Sequence, residues 1–449
     1  MSKRRRGSLS LKSLKNQCTE ISFKNDNQTV LVSSPDTRSM IATALLCRGI
    51  MKSGGKFHVS YEHPVASLDR VIELRSLYES ANLIFVGIDT LGKKRIRKGK
   101  SYPVFLGGTS ESEQLESLTC GTTDTVSAAG YVFSEQLLSV NDYDLQIASG
   151  AILLSTEPAK LTQKVNDEIV KKAREKKLIE ERKGVRLFGF GFLPLDELFL
   201  YNTRPFIPGL SGNEKACDSL LNEAEIPVTK LHGPMSELSN KEAQSLTQHL
   251  TSRLLDEFGP SIIAQIMGTD YILLLEAENS PLRYLSGLEA IAETSWARQE
   301  QGAAMSIWIR DRGRALRSVI DIYLSHHKDV ISTIERLQTK LKGTSTETST
   351  SIEVAGVQSE ILTDVGRVTL QSDIANQERP LLINSDKSTV AIWTDENIDT
   401  KAVLQTLQNK GLDPVLTSPR SLLFKRLSKE LRTDVLETLG SVTEKENPS

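Results

Sequence analysis

The sequence predicts an α/β protein in three parts: a parallel-sheet domain, a mainly helical middle unit and a small α+β domain near the C-terminal end. Three observations carry that prediction. Short apolar runs alternate with helical patterns between about Thr29 and Ser155, and residues 196–342 follow helical periodicity almost throughout. A polar run, GTSTETSTS at 343–351, then separates these from a stretch of strand-like alternation. The expected divisions are a basic flexible tail over 1–22, the parallel-sheet domain with a connecting helix over 23–195, the middle unit over 196–342, a linker over 343–352 and the C-terminal domain over 353–441.

In chain order, TVLVS reads as a first strand, followed by a helix from about Thr37 to Ile50 and then strands in KFHVSY, NLIFVGI and PVFLGG. Helices near Ser127–Leu138 and Asp144–Leu154 complete a βαβ rhythm, which calls for a parallel sheet. The loops Ser33–Asp36, Gly87–Thr90 and Gly107–Ser110 line up at the carboxyl edge of such a sheet, where open α/β folds hold ligands. Residues 160–182 place Leu161, Val165, Ile169 and Ala173 at four-residue spacing amid charges, which predicts a solvent-facing connecting helix. The middle unit is expected to be helical apart from one strand at Tyr271–Leu275, with a long last helix from about Gly302 to Lys342. The Ser/Thr run after it lacks the apolar surface needed to order itself. Beyond it, TSIEVAGVQSEILTD, RVTLQ, PLLINS and TVAIWT read as strands, and helices are expected near Thr400–Lys410 and Pro419–Leu439, with a frayed VTEKENPS ending.

Composition narrows the function. No apolar run reaches bilayer length, since SIIAQIMGTDYILLLEA at 261–277 is broken by Gln265, Asp270 and Glu276. The basic start, MSKRRRGSLS, leads into no apolar segment and reads as a tail rather than a secretory signal. Cys18, Cys47, Cys120 and Cys217 lie far apart with no CxxC pair, which argues against a zinc ribbon or disulfide framework and fits a reducing cytoplasm. A net charge of −2 gives no overall attraction to nucleic acid, so local patches must supply it. One such patch is GKKRIRKGK, where Lys93, Lys94, Arg95, Arg97, Lys98 and Lys100 make a footprint for phosphate or an acidic partner.

Two segments, YNTRPFIPGLSGNEKACDSLLNEAEIP at 201–227 and AENSPLRYLSGLEAIAETSW at 277–296, carry punctuation of a specific kind. Pro208 and Gly209 turn the chain, Ser211 or Asn213 can cap the helix that follows, and Ser280 with Pro281 reads as a helix start. As a set these segments resemble the archaeal RecJ-like branch of the DHH phosphoesterase superfamily, related to the eukaryotic CMG-helicase cofactor. The resemblance implies metal-ligand clusters at the strand ends: His-x-Asp-x-Asp after the first strand, an Asp after the second, Asp-His-His after the third and a further Asp closing a helix. Matched onto this chain, those positions hold Ser34, Asp36 and Arg38; Gly87; Gly107, Gly108 and Thr109; and a residue near Leu154. Only Asp36 keeps its type, as a relict ligand or as the N-cap of TRSMIATALL. Arg38 would repel a divalent cation. The glycine-rich, histidine-bearing loop of the C-terminal domain is replaced by NKGLDPVLTSPRS, with Gly411 alone, and the Asn-Ala-x-Gly-Arg segment by ETSWARQ.

Asp89, Asp124 and Glu157 offer an unfamiliar ligand set with no histidine nearby in sequence, and His326 and His327 fall late in a helix, where stabilising its C-terminal half is the simpler role. Arg283 can face the cleft, stand in solvent or act as a cap. The expectation is therefore a catalytically inactive, cytoplasmic RecJ-like protein with no cofactor. The resemblance implies a replisome scaffold that joins a GINS-type complex and the MCM helicase, with single-stranded DNA as a further partner. Tyr201, Phe206, Tyr284 and Trp296 are expected as exposed anchors for such partners. The alternative is a single-strand-specific exonuclease using manganese or magnesium on atypical ligands.

Overall fold

The computed structural model describes residues 10–21, 23, 27–91, 103–108, 118–121, 125–155, 164–278, 280–341, 350–372, 374–395 and 398–444. The N-terminal part runs α1 (Leu11–Thr19), β1 (Thr29–Ser33), α2 (Thr37–Lys52), β2 (Phe57–Tyr61), β3 (Val65–Ser67), α3 (Leu68–Leu77), β4 (Asn82–Val86), β5 (Asp89–Leu91), β6 (Val104–Leu106), β7 (Leu118–Cys120), α4 (Val126–Leu137), α5 (Asp142–Ser155), α6 (Lys164–Glu175) and β8 (Ile179–Val185). The stretch expected as a flexible tail instead contains α1, because Leu14 and Cys18, one turn apart, are both buried and Ser10 caps the helix.

Five parallel strands in the order β2-β1-β4-β6-β7 form the main sheet. Alternate side chains enter two separate cores: Leu31, Ile84, Val86, Val104 and Leu106 pack on one side, while Val30, Val32, Leu83, Phe85 and Phe105 pack on the other. Covering on both faces explains why the strands read as continuous apolar runs. The helix expected over 160–182 ends at Glu175, where Lys177 turns at φ 55°, and Val165, Ile169 and Ala173 are buried in the main core rather than facing solvent. The residues after it form β8, which pairs antiparallel with a strand about ninety residues later.

The middle part contains α7 (Leu195–Leu200), α8 (Glu214–Glu223), α9 (Asn240–Phe258), α10 (Pro260–Ile266), β9 (Met267–Leu273), α11 (Leu285–Ala297), α12 (Gln301–Trp308) and α13 (Arg314–Leu341). Asn213, not Ser211, caps α8, accepting from the Ala216 N–H at 3.1 Å. The Ser280–Pro281 helix start is not used. The Arg283 carbonyl accepts from the Leu273 N–H at 2.8 Å and Tyr284 bridges Ile272, so this segment runs along β9 and α11 begins at Leu285. The long helix expected from Gly302 is broken at Arg310, with φ 90°, and the Asp311 carboxylate accepts from the Gly313 N–H at 2.8 Å to turn the chain.

The C-terminal part comprises β10 (Ser351–Glu353), α14 (Ser359–Gln371), β11 (Leu381–Asn384), β12 (Ser388–Ile392), α15 (Thr400–Asn409), β13 (Val415–Ser418), β14 (Ser421–Lys425) and α16 (Lys429–Glu444). Its sheet has the order β10-β11-β12-β14-β13, parallel only at β10–β11. Two expectations are overturned here. RVTLQ, and SEILTD at the end of TSIEVAGVQSEILTD, belong to α14, where Ile361, Leu362, Val365 and Val368 make one buried helical stripe; β-branched residues obscured that period. Residues 419–425 form a hairpin turn and β14 rather than the start of a helix, because every residue from Ser421 to Lys425 pairs with β12. The expected linker falls largely on 342–349, which lie outside the described residues.

Candidate functional site

At the carboxyl edge of the main sheet the strand ends are tied to one another. The Ser34 N–H donates to the Val86 carbonyl and the Gly87 N–H to the Leu106 carbonyl, each at 2.9 Å. Gly87 and Gly107 both adopt φ 67°. A Cβ at Gly87 would run into the Ser39 hydroxyl, one at Gly107 into both the backbone and side chain of Val126, and one at Gly108 into the Ile88 carbonyl. Asp36 caps α2: its Oδ1 accepts from the N–H groups of Arg38 and Ser39, both at 3.1 Å. The edge is closed by packing rather than opened as a ligand cradle.

A cleft of about 480 Å³ lies beside this edge, bounded by Pro35 and residues 61–64, by the end of α11 and by α14, β13 and β14. Its charged lining is Glu62 and Glu360, and no lysine or arginine is among its described lining residues. His63 crosses the cleft floor: Nε2 accepts from the Leu416 N–H at 2.9 Å, and Nδ1 lies 3.0 Å from the Val65 carbonyl. Since a backbone N–H can only donate, Nε2 carries no proton and the imidazole is neutral. Burial lowers the His63 pKa, opposed by the Val65 carbonyl and by the nearby carboxylates of Glu62 and Asp413. A histidine that binds its proton less readily when folded removes stability as pH falls below about 6.5, the unfolded value. We expect the thermal midpoint to fall more steeply from about pH 7 to pH 5 in the wild type than in His63→Gln; equal slopes would show that this clasp does not titrate.

Between α13 and α14 lies a buried polar network. Asp364, fully buried, accepts from Arg204 at 2.6 Å, from Arg367 at 3.0 and 3.1 Å, and from His326 Nε2 at 2.6 Å. Arg204 also pairs with Glu293, and Arg298 bonds His326 Nδ1 at 3.1 Å and Asp329 at 2.6 Å. Burial alone would raise the Asp364 pKa, but the two guanidiniums and His326 hold it well below the usual carboxylate range. His327, also fully buried, is bonded to the Thr203 and Thr294 hydroxyls, and burial beside His326 keeps it neutral.

A CDC45 from Entamoeba histolytica superposes on this architecture with a TM-score of 0.58 at 9% identity, covering 96% of this chain and 97% of that one. The chain has the RecJ-like DHH fold. A RecJ from Thermus thermophilus in complex with manganese has a TM-score of 0.46 at 11% identity, covering 98% of this chain and 56% of that chain. No family model and no curated protein matches the sequence.

In this DHH fold the strand-end positions singled out from the sequence do converge, but as Ser34, Gly87, Gly107 and Gly108 packed against neighbours. Ser34 Oγ is buried without a hydrogen-bond partner among the described residues. Leu154 is half-buried in α5. Asp89 is buried on β5, while Thr109, Asp124 and Glu157 lie outside the described residues. Among the described residues no three His, Cys, Asp or Glu side chains are grouped as a metal site. Lys93, Lys94, Arg95, Arg97, Lys98 and Lys100 also lie outside them.

Arg283 caps no helix: its Nη1 donates to the carbonyls of Leu273, Leu274 and Glu276 at 3.3, 3.2 and 2.6 Å, tying down the end of β9 and the turn after it. Of the four expected anchors, Phe206 is buried in a core with α13 and α14 instead of exposed, while Tyr201, Tyr284 and Trp296 are half-buried. His326 and His327 prove central rather than terminal. Their adjacency in the sequence was visible, whereas the partner Asp364 is 38 residues away and gave no local signal. No helix among the described residues is long and apolar enough to cross a membrane.

Proposed function

We propose that the chain is a RecJ-like protein without hydrolytic activity that serves DNA replication in the cytoplasm as a scaffold, docking a GINS-type complex and the MCM helicase, with single-stranded DNA as a further ligand. The observation that carries this reading is steric: Gly87, Gly107 and Gly108 stand where two-metal chemistry needs carboxylate and imidazole ligands, and their surroundings leave no room for side chains. The large cleft supports it electrostatically. A phosphodiester strand entering there would meet Glu62 and Glu360 without a compensating arginine or lysine among the described lining residues. The likeness to CDC45 over nearly the whole chain supports it at the level of fold.

A scaffold acts by presenting surface. The half-buried Tyr201, Tyr284 and Trp296 offer aromatic anchors, and the basic run from Lys93 to Lys100 suits an acidic partner or a phosphate backbone. The purified protein is expected to leave single-stranded DNA intact with manganese or magnesium, and to co-purify with a recombinant GINS-type complex at micromolar concentration. Metal-dependent cleavage that disappears in Asp36→Ala or Asp89→Ala would establish the exonuclease alternative. Folded protein that binds no GINS-type complex would remove the scaffold reading.

A further inference from the structure

The turn between α12 and α13 holds a residue that its backbone disfavours. α12 closes with a pair of reverse hydrogen bonds, the Asp311 N–H donating to the Ser306 carbonyl at 2.9 Å and the Arg310 N–H to the Ile307 carbonyl at 3.0 Å. Glycine is the usual residue at the left-handed position of that arrangement, yet here it is Arg310, at φ 90°. A long side chain is strained there, and strain that persists points to a role for the side chain.

The Arg310 guanidinium lies over the Tyr143 ring, 4.7 Å from its centroid, beside Arg48 at 4.6 Å and Arg312 at 5.9 Å. Arg48 is paired with Asp144 at 2.5 Å, and Arg312 with both oxygens of Glu276 at 3.0 and 2.5 Å. Arg310 forms no ion pair, and neither do Arg314 and Arg317 on the exposed first turns of α13; residues 280–339 are described without a gap. Of the carboxylates nearest in the chain, Asp311 is engaged by the Gly313 N–H at 2.8 Å, and Asp321, a turn beyond Arg317, does not pair with it. The first turn of α13 contains no acidic residue, so its cations add to the positive end of the helix dipole instead of cancelling it.

The surroundings select the occupant. Leu316, Ile320 and Leu324 recur every four residues along one flank of α13, with Arg317 a neighbour of Ile320, and each is half-buried. Such an apolar line suits the anchors of a helix laid alongside and has no counterpart in a phosphate backbone. Tyr143, the aromatic ring of this patch, is 3% exposed and covered by guanidiniums, so no base can stack on it. We propose that this face docks an acidic amphipathic helix of a partner protein, whose carboxylates are received by Arg310, Arg314 and Arg317. The proposal rests on the scaffold reading and names a face for it.

Fluorescence anisotropy with the full chain checks it with three labelled probes: an amphipathic helix with leucines every three or four residues and glutamates beside them, the same helix with glutamine for glutamate, and an oligothymidylate of equal charge. The glutamate helix is expected to bind at micromolar concentration, at least about tenfold more tightly than the glutamine helix, and to weaken as salt rises. Arg314→Glu combined with Arg317→Glu is expected to weaken it at least about tenfold and to leave the thermal midpoint in place, since both side chains are exposed. Arg310→Gly is expected to weaken binding while keeping or raising the midpoint, because it relieves the strain; a lowered midpoint with unchanged binding would make Arg310 a structural residue and overturn its role. Equal binding of the two helices, tighter binding of the oligothymidylate, or full affinity in the charge-reversed variant would each overturn the proposal. Failure of the glutamate helix while a GINS-type complex still co-purifies would remove this face and leave the scaffold reading; helix binding without that complex would do the reverse.

Discussion

Asp364→Ala is expected to destabilise the protein by about 3–5 kcal/mol, the cost of leaving buried cations without their counter-ion. The carboxylate is fully buried and receives Arg204, Arg367 and His326, so its removal strands two guanidiniums where water cannot fully replace it. Asp364→Asn keeps the shape and part of the hydrogen bonding, and should fall between alanine and wild type. Thermal and urea midpoints check both. A shift within about 0.5 kcal/mol, as for an exposed site, would mean that the network contributes little to cohesion. The pH dependence has a definite sign. Because the folded carboxylate has a depressed pKa, its contribution is complete above the usual carboxylate range and is lost only as pH drops through the lower folded value.

Gly107→Asp, which restores a family ligand type at its position, is expected to damage the fold rather than create a metal site. A non-glycine residue at φ 67° costs about 1–3 kcal/mol in backbone strain, and overpacking against Val126 adds about 1–3 kcal/mol. The obstacle includes the Val126 backbone, which cannot rotate away as a side chain can. The expected outcome is a thermal midpoint well below wild type, with no manganese-dependent cleavage of single-stranded DNA. A soluble variant with an unchanged midpoint would show that the edge has room for ligands after all.

The N-terminal sheet was legible because its strands are buried on both faces, so each appears as an apolar block bounded by turn residues. Asp36 was legible as a cap for a similar reason: N-capping is a local bond between a side chain and amides two and three residues on. What escaped was set by distant partners. Residues 179–185 carry a mostly charged pattern without an apolar block and become a strand only because 267–273 lies alongside. SLLFK takes β form because β12 offers it a complete edge, although its composition also suits a helix. Asp364, Arg204 and His326 come from separate segments, and no spacing rule connects them. The closing of the sheet edge was visible only as missing ligand types; that the replacement glycines admit no side chain needed coordinates.

Phe206, Val330, Ile334 and Leu337 share a core with residues of α14, β10, β11 and β12. The C-terminal part is therefore not a ball on a string. Val65 from the N-terminal part enters another of its cores, and His63 holds its outer strand. A partner that touches both halves thus meets two patches at a preset distance and angle, and gains nothing from the effective-concentration effect of a loose tether. What it gains instead is rigidity: no inter-domain freedom has to be frozen when it docks, so the affinity of such a bridge follows the match of its own geometry to this one.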